Sequence, residues 1–309
     1  MNYFPFFRGK QFELICIREN GGLIARQGFT PIIEPVKEGA NGLVRTIEAL
    51  KREQAGFLIV ANPSVGHHAP SLPDEFAAQV NDAISDYAQG GWIYQLQEAD
   101  DLLAVRSWLQ NWPDLAILHH GTMAAKDVVE VVTNQQGPDR KHLFLVDKCS
   151  LRYRGAFSSR HKVLLEDGFK KTKNADYPDV EVFSELPVTY QDQGANGFGD
   201  YLIVGSEYSD GGGAAYAVAI HITYADHEDD GVIYVRHFKS DTNDTPTDPA
   251  GKFQEALEKL IEYCAQPGSK IPETEAIREF QRLHQHGHFP GLGYVKKLSM
   301  QHHLEIMGR

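Results

Sequence analysis

Polar and ionisable side chains stand at the ends of short apolar runs in the first half of this 309-residue chain. These side chains are Glu34, Asn62, Gln97, His119, His120, Asp147, Glu166 and Asp167. If the runs are parallel strands, their carboxyl ends meet at one barrel mouth or one sheet crevice, where ligands bind. Carboxylates gathered there can act as general acids and bases or bind a divalent metal ion.

Four carboxylates and one histidine are the candidate catalytic residues: Glu34, Asp147, Glu166, Asp200 and His303. Asp147 and Glu166 end consecutive runs and are expected to approach each other, although a helix cap or an ion pair with a nearby lysine is the alternative. Asp200 lies at a strand boundary in GFGDY, where aspartate also often caps a turn. The metal that such a set would bind is not specified; Mg²⁺ is one candidate.

Basic residues supply a second kind of candidate, a site for an anion. The candidate ligand-binding residues are Arg8, Lys10, Arg152, Arg154 and Lys173. Residues 148–173 contain eight Lys and Arg against two acidic residues, so this segment carries a local charge of 8 − 2 = +6. We expect it to attract a nucleotide or nucleic acid; a solvated face, or docking on the acidic stretches 176–192 and 226–230, is the alternative.

The sequence neighbours of Glu34 and of the paired histidines restrict the roles that these residues can have. Glu34 lies between two prolines in PIIEP, and a buried carboxylate there would require Arg8 or Lys10 as its partner. Adjacent histidines on a strand point to opposite faces, so at most one of His119 and His120 can face a barrel interior. The sequence leaves open which of His302 and His303 faces a site, and a hydrogen-bonded structural histidine is the alternative.

Alternating apolar runs and amphipathic stretches predict a (β/α)₈ barrel of the TIM type. Strands are predicted over 31–36, 57–62, 92–97, 116–120, 143–147 and 163–167. Helical stripes lie between them, for example Leu43, Ile47 and Leu50. We expect one decorated domain over 1–309, with a regular core at 30–167 and an irregular second half at 168–309.

The second half is predicted to contain insertions and fewer βα units. Residues 173–193 are expected to cross the barrel mouth, and 211–213 to form a flexible glycine turn. Strands are predicted over 198–204, 217–224 and 233–238, the last two paired as a hairpin. Helices are predicted from Pro249 and over 273–283, followed by a last strand over 297–307.

Composition excludes several classes of protein. The net charge of −12 excludes a uniformly basic nucleic-acid coat, and three distant cysteines favour a reducing compartment over a disulfide framework. The amino-terminal residues lack the apolar stretch of a signal peptide, so a cytoplasmic location without membrane contact is expected. P-loop, GxGxxG, HExxH and GxSxG signatures are absent, and nothing specifies an organic cofactor.

Several sequence blocks resemble the phage beta protein family. YFPFFRGKQFEL and TPIIEPV look like its opening, and KNADYP, GFGDYLIVGSEYSDGGG, AVAIHITY and HFPGLGYVKKLSMQHHLE are similar to its bacterial branch. The resemblance implies a barrel-like core, an antiphage-defence setting and a gene neighbour that encodes a predicted nuclease. Family motif residues correspond to Arg8, Lys10, Glu13, Glu34, Asp200, His302 and His303, without established catalytic roles.

Two functions from different classes follow from these observations. The first is an enzyme whose barrel mouth binds an anionic, phosphate-bearing ligand, in one version a metal-assisted hydrolase. The second is a non-catalytic sensor or regulatory subunit that docks a nuclease partner through the same face. A direct nuclease ranks last, because Asp147, Glu166 and Lys170 lack a compact spacing.

Overall fold

Eight short strands pair in parallel in the order in which a TIM barrel requires them, as a computed structural model of the chain shows. The structure describes residues 2–133, 139–158, 161–211 and 216–309. The contacts divide the chain into two compact units. The barrel unit comprises Met1–Glu166 and Thr189–Asp200, and the second unit comprises Asp167–Val188 and Tyr201–Arg309.

The strands of the barrel unit are buried and mostly apolar, as expected when helices cover a parallel sheet. They are β1 (Phe6–Phe7), β2 (Ile32–Ile33), β3 (Phe57–Val60), β4 (Gly90–Leu96), β5 (Ala116–His119), β6 (His142–Leu145), β7 (Lys162–Glu166) and β9 (Gly197–Asp200). A parallel bridge between Tyr3 and Phe198 joins the first strand to the last. Phe4 N–H donates to the Phe198 carbonyl at 2.8 Å, so the sheet closes on itself.

Amphipathic helices connect these strands. They are α1 (Gln11–Glu19), α2 (Gly21–Gln27), α3 (Asn41–Arg52), α4 (Asp74–Ile84), α5 (Asp101–Asn111), α6 (Ala125–Thr133) and α7 (Leu151–Gly155). Leu43, Ile47 and Leu50 of α3 are all buried, as their spacing predicts. The predicted barrel is confirmed. It begins before residue 30 with β1 and takes its eighth strand, β9, from the predicted irregular half.

Register determines which side chains of the barrel face inward. Phe144 of β6 pairs with Leu164 of β7 and packs against Phe157, which follows α7 and lies outside the strands. Side chains alternate between faces along a strand, so Leu143 and Leu165 point into the barrel. The same alternation through the register places Gln95 of β4 on the inner face with Leu118 of β5.

The second unit combines an antiparallel sheet with helices. Its strands are β8 (Val180–Ser184), β10 (Ala219–Asp226) and β11 (Val232–Lys239), in the order β10-β11-β8. Its other elements are the short helix α8 (Leu186–Thr189), whose last residue is assigned to the barrel unit, and α9 (Pro249–Ala265), α10 (Glu275–Gln285) and α11 (Leu292–Met307). Ile220, Ile222 and Phe253 belong to its core. The predicted hairpin is confirmed, with Asp226 opposite Val232.

Three predictions for the second half are wrong in detail. Residues 297–307 are helical and belong to α11, whose buried Val295, Leu298 and His302 recur at helical spacing. The predicted strand over 198–204 ends at Asp200, and Leu202–Val204 form a 3₁₀ turn. Residues 173–193 contain β8 as a strand of the second sheet. Glycines 212 and 213 of the predicted turn lie outside the described residues.

Candidate functional site at the barrel mouth

Glu34 is the centre of a polar network at the carboxyl ends of the barrel strands. It follows β2, is 0% exposed, and forms an ion pair with Arg8, which follows β1. Its Oε1 accepts hydrogen bonds from the Ser64 N–H at 2.6 Å, from the Ser64 hydroxyl at 2.8 Å and from Gln95 Nε2 at 3.2 Å. Donors from three strand ends therefore compensate this buried carboxylate, as burial of a charge requires.

Gln95 of β4 connects Glu34 by hydrogen bonds to His120, which follows β5. The Asn62 side chain holds the β4 backbone, because its Nδ2 donates to the Gln95 carbonyl at 2.9 Å and its Oδ1 accepts from the Gln95 N–H at 2.8 Å. Gln95 Nε2 donates to Glu34 and, at 3.1 Å, to the Asn62 carbonyl. Since both partners are acceptors, the amide nitrogen must face them, and Gln95 Oε1 faces His120.

His120 completes the chain with a defined tautomer. Its Nε2 lies 3.2 Å from Gln95 Oε1, an acceptor, so Nε2 carries the proton and Nδ1 keeps its lone pair. Burial lowers the pKa of His120, and the Glu34 carboxylate opposes this shift only in part. The imidazole is therefore neutral at pH 7. Within the described residues, no hydrogen bond is directed to Nδ1.

Arg8 places positive charge within this network, and Lys10 follows it by two residues in the chain. The Arg8 side chain is 11% exposed whereas that of Glu34 is 0% exposed, so a ligand can reach the pair only from its guanidinium side. The Arg8 N–H also donates to the Glu13 carboxylate in the first turn of α1. Lys10 is half-buried at the start of the same helix.

A cavity of about 310 Å³ lies beside the same strand ends. Gly9 and Pro35, the neighbours of Arg8 and Glu34, contribute to its wall. Leu14 of α1, Leu43 of α3 and Phe76 of α4 give the wall apolar side chains, and it also contains two cations, Arg18 and Lys37. Neither Arg8 nor Glu34 lines the cavity, and its residue Ile33 is on the opposite face of β2 from Glu34.

The other predicted carboxylates do not join Glu34. Glu166 and Asp200 are opposite each other in the register of β7 and β9, on the face that carries Leu164 and Phe198 and points away from the barrel interior. Asp200 is buried and accepts the Tyr3 hydroxyl at 2.8 Å. Burial and this carboxylate together raise the pKa of Tyr3. Asp200 therefore lies outside the inward-facing network.

Asp147 and His303 are also placed elsewhere. Asp147 follows β6 with a side chain that is 69% exposed and forms an ion pair with Lys148 at 3.2 Å. His303 is buried in α11 of the second unit, where its Nδ1 lies 2.8 Å from the Thr223 hydroxyl. The structure thus brings together Glu34 and Arg8 of the predicted set, and it does not bring Asp147 or Asp200 to them.

The predicted basic segment is divided by the fold. Arg152 is exposed on α7, whereas Arg154 on the same helix is buried. Lys173 belongs to the second unit and is exposed, and Arg160 lies outside the described residues. Within the barrel unit, only Arg152 of these two arginines is exposed to solvent.

The carboxylates do not fit a divalent metal site. Among the described residues, no group of three or more His, Cys, Asp or Glu is arranged to hold a metal ion. Glu34 already accepts from Arg8, Ser64 and Gln95, and Asp200 accepts from Tyr3.

Sequence reasoning missed Ser64 and Gln95 and did not choose His120. A signal for His120 was present, because only one of two adjacent histidines on a strand can face the interior. The sequence indicates Gln97 as the polar residue that ends the predicted strand over 92–97. In the structure β4 ends at Leu96, and Gln95 is the residue that points inward. Ser64 lies four residues beyond β3, in a loop whose path the sequence does not indicate.

Comparisons with known proteins concern the fold alone. No family model matches the sequence, and no curated protein matches it. Proteus mirabilis N-acetylneuraminate lyase is similar over 64% of this chain and 70% of its own, at 6% identity and a TM-score of 0.41. A truncated 3-deoxy-D-arabino-heptulosonate 7-phosphate synthase from Thermotoga maritima is similar over 65% of this chain and 75% of its own, at 11% identity and a TM-score of 0.40.

Hydropathy gives one further observation. Across the residues that the structure describes, none of the helices combines the length and the apolar character needed to span a bilayer.

Proposed function

We propose that the barrel mouth hydrolyses an anionic, phosphate-bearing ligand and that His120 is its general base. One observation carries the proposal: the chain of hydrogen bonds from Glu34 through Gln95 fixes the proton of His120 on Nε2. Nδ1 is left as a basic lone pair on a neutral imidazole at the face where TIM barrels act on substrates.

The reaction needs only these groups and water. His120 Nδ1 takes a proton from a water molecule, whose oxygen attacks phosphorus while the bond from phosphorus to the leaving oxygen breaks. The imidazolium then returns the proton to the leaving oxygen. Glu34 and Gln95 are positioning residues, because they act through His120. Arg8 and Lys10 supply positive charge for the anion.

A non-catalytic sensor is the second candidate. The observation in its favour is the ion pair between Glu34 and Arg8, which uses the only predicted catalytic carboxylate within the network for charge compensation. In that case the same mouth binds the ligand without turnover. For both candidate functions, the family resemblance leads us to expect an antiphage setting and a nuclease partner. The cytoplasm is the expected compartment.

A turnover screen tests the proposal. The purified full chain is incubated with a panel of phosphomonoesters, nucleotides and short oligonucleotides, and products are detected by mass spectrometry. We expect hydrolysis of at least one compound, with a loss of about 100-fold or more in His120→Gln. His284→Gln is the matched control, because it makes the same change at an exposed histidine of α10 in the second unit.

Two outcomes would contradict the catalytic proposal. Turnover that is equal in wild type and His120→Gln would remove His120 as the base. Binding of a compound without any product from the wild-type chain would favour the sensor. In either case a phage-protection assay of the same variants would show whether the mouth matters in cells.

A further inference from the structure

A second cavity, of about 200 Å³, lies on the flank of the barrel unit. Phe144 and Leu164 form part of its wall, and both point away from the barrel interior. The other wall is formed by α7 and by residues 193–195, which precede β9. The cavity is therefore distinct from the inward-facing network of Glu34 and His120.

Arg154 contributes a buried guanidinium to this cavity. The residue is 8% exposed, and its Nε is buried without a hydrogen-bond partner. Its Nη1 donates to Gln193 Oε1 at 3.2 Å, a neutral acceptor. Among the described residues no carboxylate lies within ion-pair distance of it, in contrast to Arg8, which is paired with Glu34. A buried charge in this state favours an external counter-ion.

Lys162 adds a second cation to the same wall. This half-buried residue begins β7, and its Nζ donates to the backbone carbonyl of Arg154 at 3.2 Å. No acidic side chain lines the cavity within the described part of the chain. Two cations without a carboxylate give the cavity a charge of +2, which a dianion would neutralise.

We propose that this flank cavity binds a small phosphomonoester dianion, independently of the barrel mouth. A guanidinium can donate two parallel hydrogen bonds to phosphate oxygens, and the ammonium supplies a point charge. Phe144, Leu164 and Ala195 offer an apolar wall to a short organic group. The volume is below the about 300–1,000 Å³ of pockets for larger ligands, which limits the ligand to a compact one.

Hydrogen exchange with inorganic phosphate as the probe tests the assignment. The full chain is titrated with phosphate against chloride at constant ionic strength, and exchange is followed in the peptide that covers 189–196. We expect slower exchange in that peptide. The half-saturating phosphate concentration should rise about tenfold or more in Arg154→Gln and about threefold in Lys162→Gln.

Matched controls are Arg106→Gln and Lys141→Gln, which remove the same charges from exposed positions that do not line the cavity. Both should stay within about twofold of wild type. Phosphate-dependent protection confined to peptides at the barrel mouth would overturn the proposal. The same half-saturation in Arg154→Gln and wild type would also overturn it. If Arg154→Gln does not fold, the half-saturating phosphate concentration of Lys162→Gln is compared with that of Lys141→Gln. Equal values in these two variants would then overturn the proposal.

Discussion

Glu34 and Arg8 form the buried ion pair at the centre of the candidate site. PIIEP suggested a buried carboxylate that needed Arg8 or Lys10, and the structure pairs it with Arg8. The sequence does not indicate whether the side chains of Glu166 and Asp200 point into or out of the barrel. Strands buried on both faces are continuous apolar runs, so their sequence carries no alternation that separates inside from outside.

Glu34→Gln should lower the stability of the barrel unit. The change removes the charge that compensates Arg8 and weakens the acceptor of Ser64 and Gln95. Breaking one side of a buried ion pair costs about 3–5 kcal/mol. Urea denaturation followed by circular dichroism measures the loss. Glu75→Gln, at an exposed position of α4, should cost less than about 0.5 kcal/mol, and equal losses in the two variants would contradict the assigned role.

The turn between β1 and α1 positions Arg8 by means of a glycine. Gly9 has φ +61°, and a Cβ at this position would lie 2.7 Å from the Glu34 carbonyl oxygen. Only glycine combines the left-handed conformation with this close approach. The sequence pattern RGK does not reveal such a requirement, because the approach depends on the path of β2.

Gly9→Ala should therefore be more destabilising than Gly28→Ala. Both glycines have positive φ, +61° and +67°, but a Cβ at Gly28 meets nothing within 4 Å. Gly28→Ala isolates the conformational cost of about 1–2 kcal/mol, and Gly9→Ala adds the steric clash. Thermal unfolding of the two variants measures the difference. Equal shifts in melting temperature would show that the backbone moves the Glu34 carbonyl away from the new Cβ without a measurable loss of stability.

Helix α11 is the element for which sequence reasoning failed. Its segment contains Met300 and Leu304 around two histidines, and this mixture of apolar and polar residues indicates a strand. Its buried face includes His302 and His303, which a hydropathy pattern counts as polar. The apolar stripe of α3, by contrast, consists of aliphatic residues, and its period was unambiguous.

Thr274 links α10 to α11 directly and, through His302, to β10. Thr274→Val should remove these hydrogen bonds and lower the stability of the second unit. Its hydroxyl accepts the Ile277 N–H at 3.2 Å, which caps α10, and lies 2.7 Å from His302 Nδ1. His302 Nε2 in turn lies 2.8 Å from the Thr223 carbonyl of β10. Loss of the cap and of a buried hydrogen bond should cost about 2–3 kcal/mol in urea unfolding. Thr247→Val, at an exposed position, is the control, and a similar cost there would contradict this role.

Buried histidines couple the stability of the whole molecule to pH. Burial lowers the pKa of His142 to about 4, of His237 to about 4 and of His302 to about 3. In the unfolded chain a histidine has a pKa of about 6.5. The unfolded state therefore binds more protons between pH 6.5 and about 4, so stability is complete above pH 6.5 and falls as the pH decreases.

We expect the urea midpoint to decrease clearly between pH 8 and pH 5. Each of the three histidines contributes a loss of about 2 kcal/mol at pH 5, because it is protonated in the unfolded chain and neutral in the folded one. His302→Asn should reduce this pH dependence while lowering stability at pH 8. A midpoint that is unchanged or higher at pH 5 would contradict the burial of these imidazoles.

The pH dependence of turnover tests the central claim, that the neutral imidazole of His120 is the base at the barrel mouth. For a compound hydrolysed by the wild-type chain, kcat/KM should fall as the pH decreases through a value below 6.5, because burial lowers the pKa of His120. The residual rate of His120→Gln should lack this acid limb. An acid limb that persists in the variant, or a wild-type acid limb centred above pH 6.5, would contradict the account.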